Sequence, residues 1–434
     1  MKGTILTYLL VAFGILGSIR RPTIGLYVYI AFSLLRPQAL WGYTMSIGAV
    51  SQIVAVAMLV FWGLHGFGSW RFGRATSIVG ALLFFLLWSW LSSLQAEDTR
   101  LATISVVEWL KIVMPFLVGV TLLKSEKDVR TLLWVIVLVQ AYIGLEMNWS
   151  YLGGYNRAEM EGFGGMDNNS FGISLVTTFG AAVGLALTAE TWKARIAASV
   201  STALILHTIL LTFSRGAFVG LIAVGIVAVG LMPKRPKYLG SVAAVAILAL
   251  WLTGPELAQR YGTTFAAENE RDASAESRVQ LWQDCLVVLA ARPVFGVGPL
   301  NFPVVSSEFG WPEGKQAHSV WFQTAAEVGA PGILALILFY AITAGKLWPI
   351  ARKKRPDISR STATLATAII LSIAGYVVSA QFVSLEGLEV PVYIAMAGAV
   401  LLKSLSPALA PATQPAGKLA FARARGSLTD RSAL

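Results

Sequence analysis

About a dozen apolar runs, most of them close to the length that crosses a bilayer, constrain this chain more than any other feature. A crossing helix needs about 20 mostly apolar residues. Inside lipid every backbone N–H and C=O must be satisfied internally, which leaves helices or closed barrels. Runs near 3–18, 22–36, 46–64, 76–93, 104–123, 129–150, 169–190, 194–213, 216–232, 238–253, 318–346, 360–383 and 390–403 read as helical spans. The first two are short, so 12 or 13 crossings are expected. Composition agrees. Hydrophobic residues make up 56% of the chain and charged residues 13%, with a mean hydropathy of +0.67, against about 45–50% and about 25% in soluble domains. The expected fold class is all-α: a polytopic membrane protein with about 12 transmembrane helices. No small-residue cleavage site precedes Arg20-Arg21, and further spans follow, so the first run is expected to stay in the protein rather than leave as a signal peptide.

One polar stretch, residues 254–317, interrupts this pattern before the chain re-enters the bilayer at His318. Long structured loops in compact proteins usually carry function. Charge says which way the loop faces. One set of alternating loops holds Arg20, Arg21, Arg71, Arg74, Lys124, Lys127, Arg130, Lys193, Arg195, Lys234, Arg235, Lys237, the Lys346–Arg360 cluster and the C-terminal tail. That set contains 23 of the 34 Lys and Arg residues against 5 acids, and the other set contains 9 against 15. The positive-inside rule makes the basic set cytoplasmic and turns the 254–317 loop outward. The net charge of +11 is therefore a topology signal. Nucleic-acid binding would want the charge on one face of a soluble domain, and no such partner is expected. The expected organisation is a membrane bundle over 1–253, an outer loop over 254–317 containing an amphipathic helix, closing spans over 318–404 and a cytoplasmic tail over 405–434. The tail is rich in Ala, Pro, Ser and Arg and reads as disordered.

Several chemistries lack their residues. The single Cys285 excludes an internal disulfide framework and a multi-cysteine metal site. His65, His207 and His318 are scattered without a paired-ligand spacing, so no metal or cofactor is expected. No phosphate-binding Gly-Lys-Ser/Thr loop and no repeat of about 30–50 residues is present.

Three outward features can carry chemistry. The first is the tight turn Leu211-Thr212-Phe213-Ser214-Arg215-Gly216 between two spans. Ser214 suits an N-cap, so the following helix would point its unpaired N–H groups and positive dipole end outward, with Arg215 beside them. That combination fits a phosphate; it equally fits an arginine anchored in lipid headgroups. The second is Glu276–Ala291, where Val279, Leu281, Trp282, Cys285, Leu286 and Leu289 form one apolar arc opposite Glu276, Gln280, Gln283 and Asp284. Arg278 falls inside that arc, and a guanidinium there needs an anion: a ligand, a structural carboxylate or a headgroup. The third is His318 with Ser319, at the point where the outer loop ends. Imidazole is the side chain best matched to proton transfer near neutral pH, while a lone histidine also serves as a hydrogen-bonded structural residue. Glu327 lies nine residues further on, roughly 13 Å along a helix at 1.5 Å per residue. An acid at that depth must face the bundle interior or a water-filled cavity, and a structural role is favoured.

The order of these motifs resembles the O-antigen ligase and polymerase superfamily of bacterial inner-membrane glycosyltransferases. The resemblance rests on Ser-Arg-Gly-Ala at 214–217, Glu-Ser-Arg…Leu-Trp at 276–282, Pro-Val-Phe-Gly-Val-Gly…Asn-Phe at 293–302 and Ala-His-Ser…Glu-Val-Gly-Ala-Pro-Gly at 317–332. Arg-Arg-Pro-Thr-Ile-Gly-Leu at 20–26, with Arg36-Pro37 and Trp41-Gly42, is similar to the O-glycosylation-ligase branch associated with exosortase systems. The similarity spans roughly 20–345. One departure is Ser319, where the family often has Asn; serine keeps a hydrogen-bonding group but leaves any role of that amide in doubt.

The resemblance implies transfer of a glycan from undecaprenyl diphosphate to a hydroxyl on a glycolipid or protein acceptor at the periplasmic side. Arg215 and Arg278 would bind the diphosphate and His318 would take the acceptor's proton, with no metal or nucleotide sugar. Ser214, Arg157, Asn169, Asn301 and Ser319 are candidate substrate contacts, with Asn168 beside them. A polysaccharide polymerase would use the same donor and a second lipid-linked glycan as acceptor. A transporter of lipid-linked glycans is the non-enzymatic alternative; it would predict related halves with broken helices, and no such internal symmetry is visible.

Overall fold

The computed structural model describes residues 2–41, 50–231, 273–353, 358–384 and 387–406. Its first half contains α1 (Lys2–Arg20), α2 (Pro22–Leu35), α3 (Pro37–Trp41), α4 (Val50–Leu64), α5 (Thr76–Ser93), α6 (Thr99–Leu122), α7 (Glu126–Leu152) and α8 (Arg157–Met160). The second contains α9 (Asn168–Thr188), α10 (Trp192–Leu211), α11 (Arg215–Leu231), α12 (Ala273–Ala291), α13 (Phe302–Val305), α14 (Val320–Ala351), α15 (Arg360–Ser379) and α16 (Glu389–Ser404). Among the described residues there is no strand beyond one isolated bridge, Phe163 to Met166. Among the described residues eight helices are long and apolar enough to cross a membrane: α1, α5, α6, α7, α9, α10, α14 and α15. The apolar helices α2, α4 and α11 are shorter, at 14, 15 and 17 residues. The expected span at 238–253, the basic loop 233–237, the loop up to residue 272 and the tail from 407 lie outside the described residues.

Short polar residues start these helices because the first N–H groups of a helix have no intrahelical acceptor. Asp98, Asp167, Thr191, Ser319 and Ser359 cap α6, α9, α10, α14 and α15 through their side-chain oxygens. Ser125 and Asp128 form a reciprocal capping box on α7.

The bundle has two chemically different ends. At one, Glu126 accepts hydrogen bonds from Ser361 and Thr362, and Arg130 bonds Thr188 O at 2.8 Å and Ser361 at 2.7 Å. Lys346 donates to Arg74 O and Ser77 there. The residues that charge counting assigned to one side thus meet at one end. The other end gathers the starts of α9, α11 and α14.

Between the ends, small residues bring α9, α11 and α15 into close contact. A Cβ on Gly180 of α9 would lie 2.5 Å from the Ser372 backbone nitrogen of α15, and one on Gly184 would overlap Ala368. In lipid, helices associate through such close van der Waals fit rather than through water exclusion. The outer helix α1 instead exposes Leu9, Phe13 and Leu16.

The expected continuous span 318–346 is broken. Gly329 has φ 71° and ψ −179°, and a Cβ there would collide with Val294 O, so only glycine fits. Pro331 has no N–H for the Glu327 carbonyl, and Ala330 N–H turns to Pro293 O at 2.8 Å. The segment Arg292–Asn301 fills the opening. Val297 N–H and Gly298 N–H bond the freed carbonyls of Ala326 and Glu327 at 3.1 and 2.8 Å. Irregular backbone is tolerated in a membrane protein where neighbouring chain satisfies it, and the Pro-Val-Phe-Gly-Val-Gly motif does that.

Candidate active site

Each site residue is held by a different local device. Phe213 adopts φ 53°, which makes the α10–α11 turn tight. Ser214 Oγ then accepts from Ala217 N–H at 3.2 Å and donates to Asn169 Oδ1 at 2.8 Å. Asn168 Nδ2 donates to Thr212 O at 3.0 Å. These bonds lock the start of α9 to the start of α11, so Arg215 and Asp167 enter one neighbourhood. A Cβ on Gly172 would lie 2.9 Å from Ala217 Cβ, so the approach leaves no room for a larger residue.

Arg278 arrives on α12. Leu281, Cys285 and Val288 are buried against Val297, Phe302, Val305 and Ala326. The expected apolar arc is corrected in part: Val279 and Leu286 point outward, and Val288 is buried in their place. The helix seats on the 297–305 segment and the start of α14 rather than spreading a wide apolar face. Trp282 stacks on Phe322 with ring centroids 5.4 Å apart, and its Nε1 donates to Ala317 O at 3.0 Å. Arg278 sits one turn before Trp282 and so faces the His318 turn.

His318 itself adopts φ 53°. Its N–H donates to Ser384 Oγ at 2.7 Å, just beyond the end of α15. Ser319 is fully buried and caps α14 by accepting from Phe322 N–H at 3.4 Å.

Arg215, Arg278 and His318, more than a hundred residues apart at the extremes, therefore share one electrostatic neighbourhood with Asp167 and Lys315. Burial pushes the His318 imidazole below its ordinary pKa. The positive charges of Arg278 and Lys315 push it the same way, and Asp167 opposes them. Burial also lowers Arg278, reinforced by Arg215 and opposed by Asp167. The starts of α9, α11 and α14 add partial positive charge from their unpaired N–H groups. Two guanidiniums, several helix N-termini and an imidazole held below its ordinary pKa suit an anionic oxygen cluster beside a hydroxyl that must lose a proton.

Other candidates have different employment. Asn169 and Ser214 lie at the α9–α11 junction beside the arginines. Arg157 pairs with Glu161 at 2.9 Å and bonds Ala39 O at 3.3 Å, tying α8 to α3. Asn301 is fully buried; its Nδ2 bonds Asp98 O and Pro299 O at 3.2 and 2.8 Å, and its Oδ1 accepts from Asp98 N–H. It fastens the 297–305 segment to the start of α6, with both ends of its amide bonded within the protein. Glu327 is buried and accepts from Leu300 N–H at 2.7 Å, Phe302 N–H at 3.2 Å and Gln323 Nε2 at 3.1 Å, as its expected structural role requires. Sequence reasoning missed Asp167 and Lys315. Asp167 did carry a signal, since an aspartate before an apolar run is an N-cap candidate.

Residues 200–337 match the family model described as O-Antigen ligase, and residues 1–183 match a family of unknown function (DUF5935). No curated protein matches the chain. The ligase match covers Arg215, Arg278 and His318 together with the broken helix that receives the 292–301 segment, so this part of the chain is similar to the O-antigen ligase family, in a protein whose described residues include eight helices long and apolar enough to cross a membrane.

Proposed function

We propose that the protein transfers a glycan from undecaprenyl diphosphate to a hydroxyl acceptor, a glycolipid or a protein, without a metal or other cofactor, at the outer face of the bacterial inner membrane. The observation that carries this reading is the run of charges at the starts of α9, α11 and α14, where Arg215 and Asp167 act on Arg278, and Arg278, Lys315 and Asp167 act on His318. The acceptor oxygen attacks the anomeric carbon, the bond from that carbon to the diphosphate oxygen breaks, and the acceptor proton passes to His318. The diphosphate departs as an anion, so it needs cations rather than a proton. Arg215 and Arg278 hold it, and stabilisation of developing charge is commonly the largest catalytic term. A neutral imidazole is a competent base, and burial together with nearby positive charge keeps His318 neutral to lower pH.

Purified protein given a lipid-diphosphate-linked glycan and candidate acceptors in the presence of EDTA should form the glycosidic product and release the lipid diphosphate. Absence of product with every acceptor, together with glycan flux across vesicles, would replace this reading with transport. A polymerase is the same chemistry with a second lipid-linked glycan as acceptor; a ladder of product lengths from donor alone identifies it.

A further inference from the structure

The turn that presents His318 is held by a buried relay that enters neither the diphosphate site nor the proton transfer. Ser319, Gln323 and Glu327 are spaced four residues apart, so they share one face of the first turns of α14. Gln323 is 1% exposed and Glu327 0%, and neither is placed there for packing alone. Gln323 Oε1 accepts the Ala317 N–H at 3.1 Å, while its Nε2 donates to Glu327 Oε1 at 3.1 Å. Glu327 Oε2 accepts Leu300 N–H at 2.7 Å and Oε1 accepts Phe302 N–H at 3.2 Å. The other side of the Ala317 residue is also taken, by Trp282 Nε1 at its carbonyl. Ala317 thus joins the helix of Arg278, the turn of His318 and the 298–302 loop.

That turn needs holding. His318 is a non-glycine residue at φ 53°, a conformation that persists only where the surroundings over-determine it. The amide before it is fixed by Gln323, the carbonyl before it by Trp282 and its own N–H by Ser384. A carboxylate at Glu327 also orients the Gln323 amide: it accepts from Nε2, so Oε1 must face Ala317.

We propose that Gln323, oriented by Glu327, is a positioning residue that sets the Ala317–His318 turn and thereby aims the imidazole at the acceptor hydroxyl. This rests on His318 acting as the base. Gln323→Met keeps the volume and removes both hydrogen bonds. Misplacing a reacting group by about 1 Å costs on the order of 100-fold in rate, so Gln323→Met should lower turnover by about that factor. Donor binding should stay at the parent value, because the arginines hold the diphosphate. Gln323→Glu should recover most of the loss: two adjacent buried carboxyls share a proton, and one oxygen still accepts from Ala317.

The decisive measurement is Gln323→Met in a His318→Ala background. A residue acting only through His318 has no further effect once the imidazole is gone, because residues that act as a unit are non-additive. An equal drop in both backgrounds would overturn the proposal in favour of general destabilisation, and so would parent turnover in Gln323→Met with an impaired His318→Ala. If His318→Ala itself turns over at the parent rate, the base assignment fails instead. Should Gln323→Met not accumulate in the membrane, Trp282→Phe carries the same comparison. It removes the hydrogen bond to Ala317 O and keeps a ring on Phe322, and its loss should likewise vanish in the His318→Ala background.

Discussion

Replacing Arg278 with alanine should change two observables in directions that the geometry fixes separately. Arg278 is half-buried on α12 and lies within electrostatic reach of Arg215, Asp167 and His318. If it holds the leaving diphosphate, its loss removes a charge-assisted contact worth about 2–5 kcal/mol. At about 1.36 kcal/mol per decade that is a fall of roughly 30- to several-thousand-fold in turnover. The second effect concerns the pH profile. Arg278 is the larger of the two positive charges that depress the His318 imidazole, second only to burial. A base must be neutral to act, so rate falls as pH drops through its pKa. Removing Arg278 makes the imidazolium easier to form, raises that pKa and moves the acid limb to higher pH. Arg278→Lys keeps the charge and loses the bidentate fork, so the limb should stay in place while turnover recovers only partly. The assay is product formation from a lipid-diphosphate donor between about pH 5 and 8, the range across which an imidazole titrates, with membrane folding checked in parallel. Parent turnover in Arg278→Ala would make the arginine a headgroup anchor. An acid limb that stays put or moves down would refute the shared electrostatic neighbourhood, even if the rate fell.

Three further outcomes follow from other parts of the molecule. His318→Ala should lose about 10²–10⁴-fold in rate while binding donor normally, and His318→Gln should not restore turnover, since an amide cannot accept the proton; a near-parent rate in the glutamine variant would reduce His318 to an acceptor-orienting group. Gly329→Ala should destabilise the protein by at least the ~1–3 kcal/mol of a strained backbone conformation, because its Cβ also meets the Val294 carbonyl; an unchanged thermal midpoint in detergent would mean that the break in α14 is not needed. Cysteines at Glu268 and Lys353, labelled in intact cells with an impermeant reagent, should react only at position 268, and reaction at 353 alone would invert the topology and remove the site from the outer face.

The architecture was legible in the sequence where a single local rule dominates. Apolar length makes a membrane helix whatever its neighbours are, so α5, α6, α7, α9 and α10 lie where the hydrophobic runs placed them. Caps such as Asp98, Ser125 and Ser359 act within one turn and mark starts reliably. The break in α14 shows where that reading stops. Gly329 and Pro331 lie inside an unbroken apolar run, and a period of 3.6 residues cannot register a segment 30 residues upstream that takes over the freed carbonyls. The arc of α12 failed for a related reason. Its helix buries Val288 and exposes Val279 because the 297–305 segment and α14 choose which face is covered.

The sequence by itself determined that this chain crosses a membrane many times, which loops share an end, and that two arginines and a histidine of suitable chemistry lie near helix starts. It did so because hydropathy, charge asymmetry and capping are properties of short stretches. Only the tertiary structure decided that Arg215, Arg278 and His318 meet, that Asp167 and Lys315 join them, and that Arg157 and Asn301 are occupied with fastening the chain. Those outcomes depend on how α9, α11, α12 and α14 pack end to end. The close approach at Gly172, the Trp282 bond to Ala317 and the bonds of Glu327 to Leu300 and Phe302 are pairings across dozens of residues, and no local pattern encodes which partner a buried polar group will find.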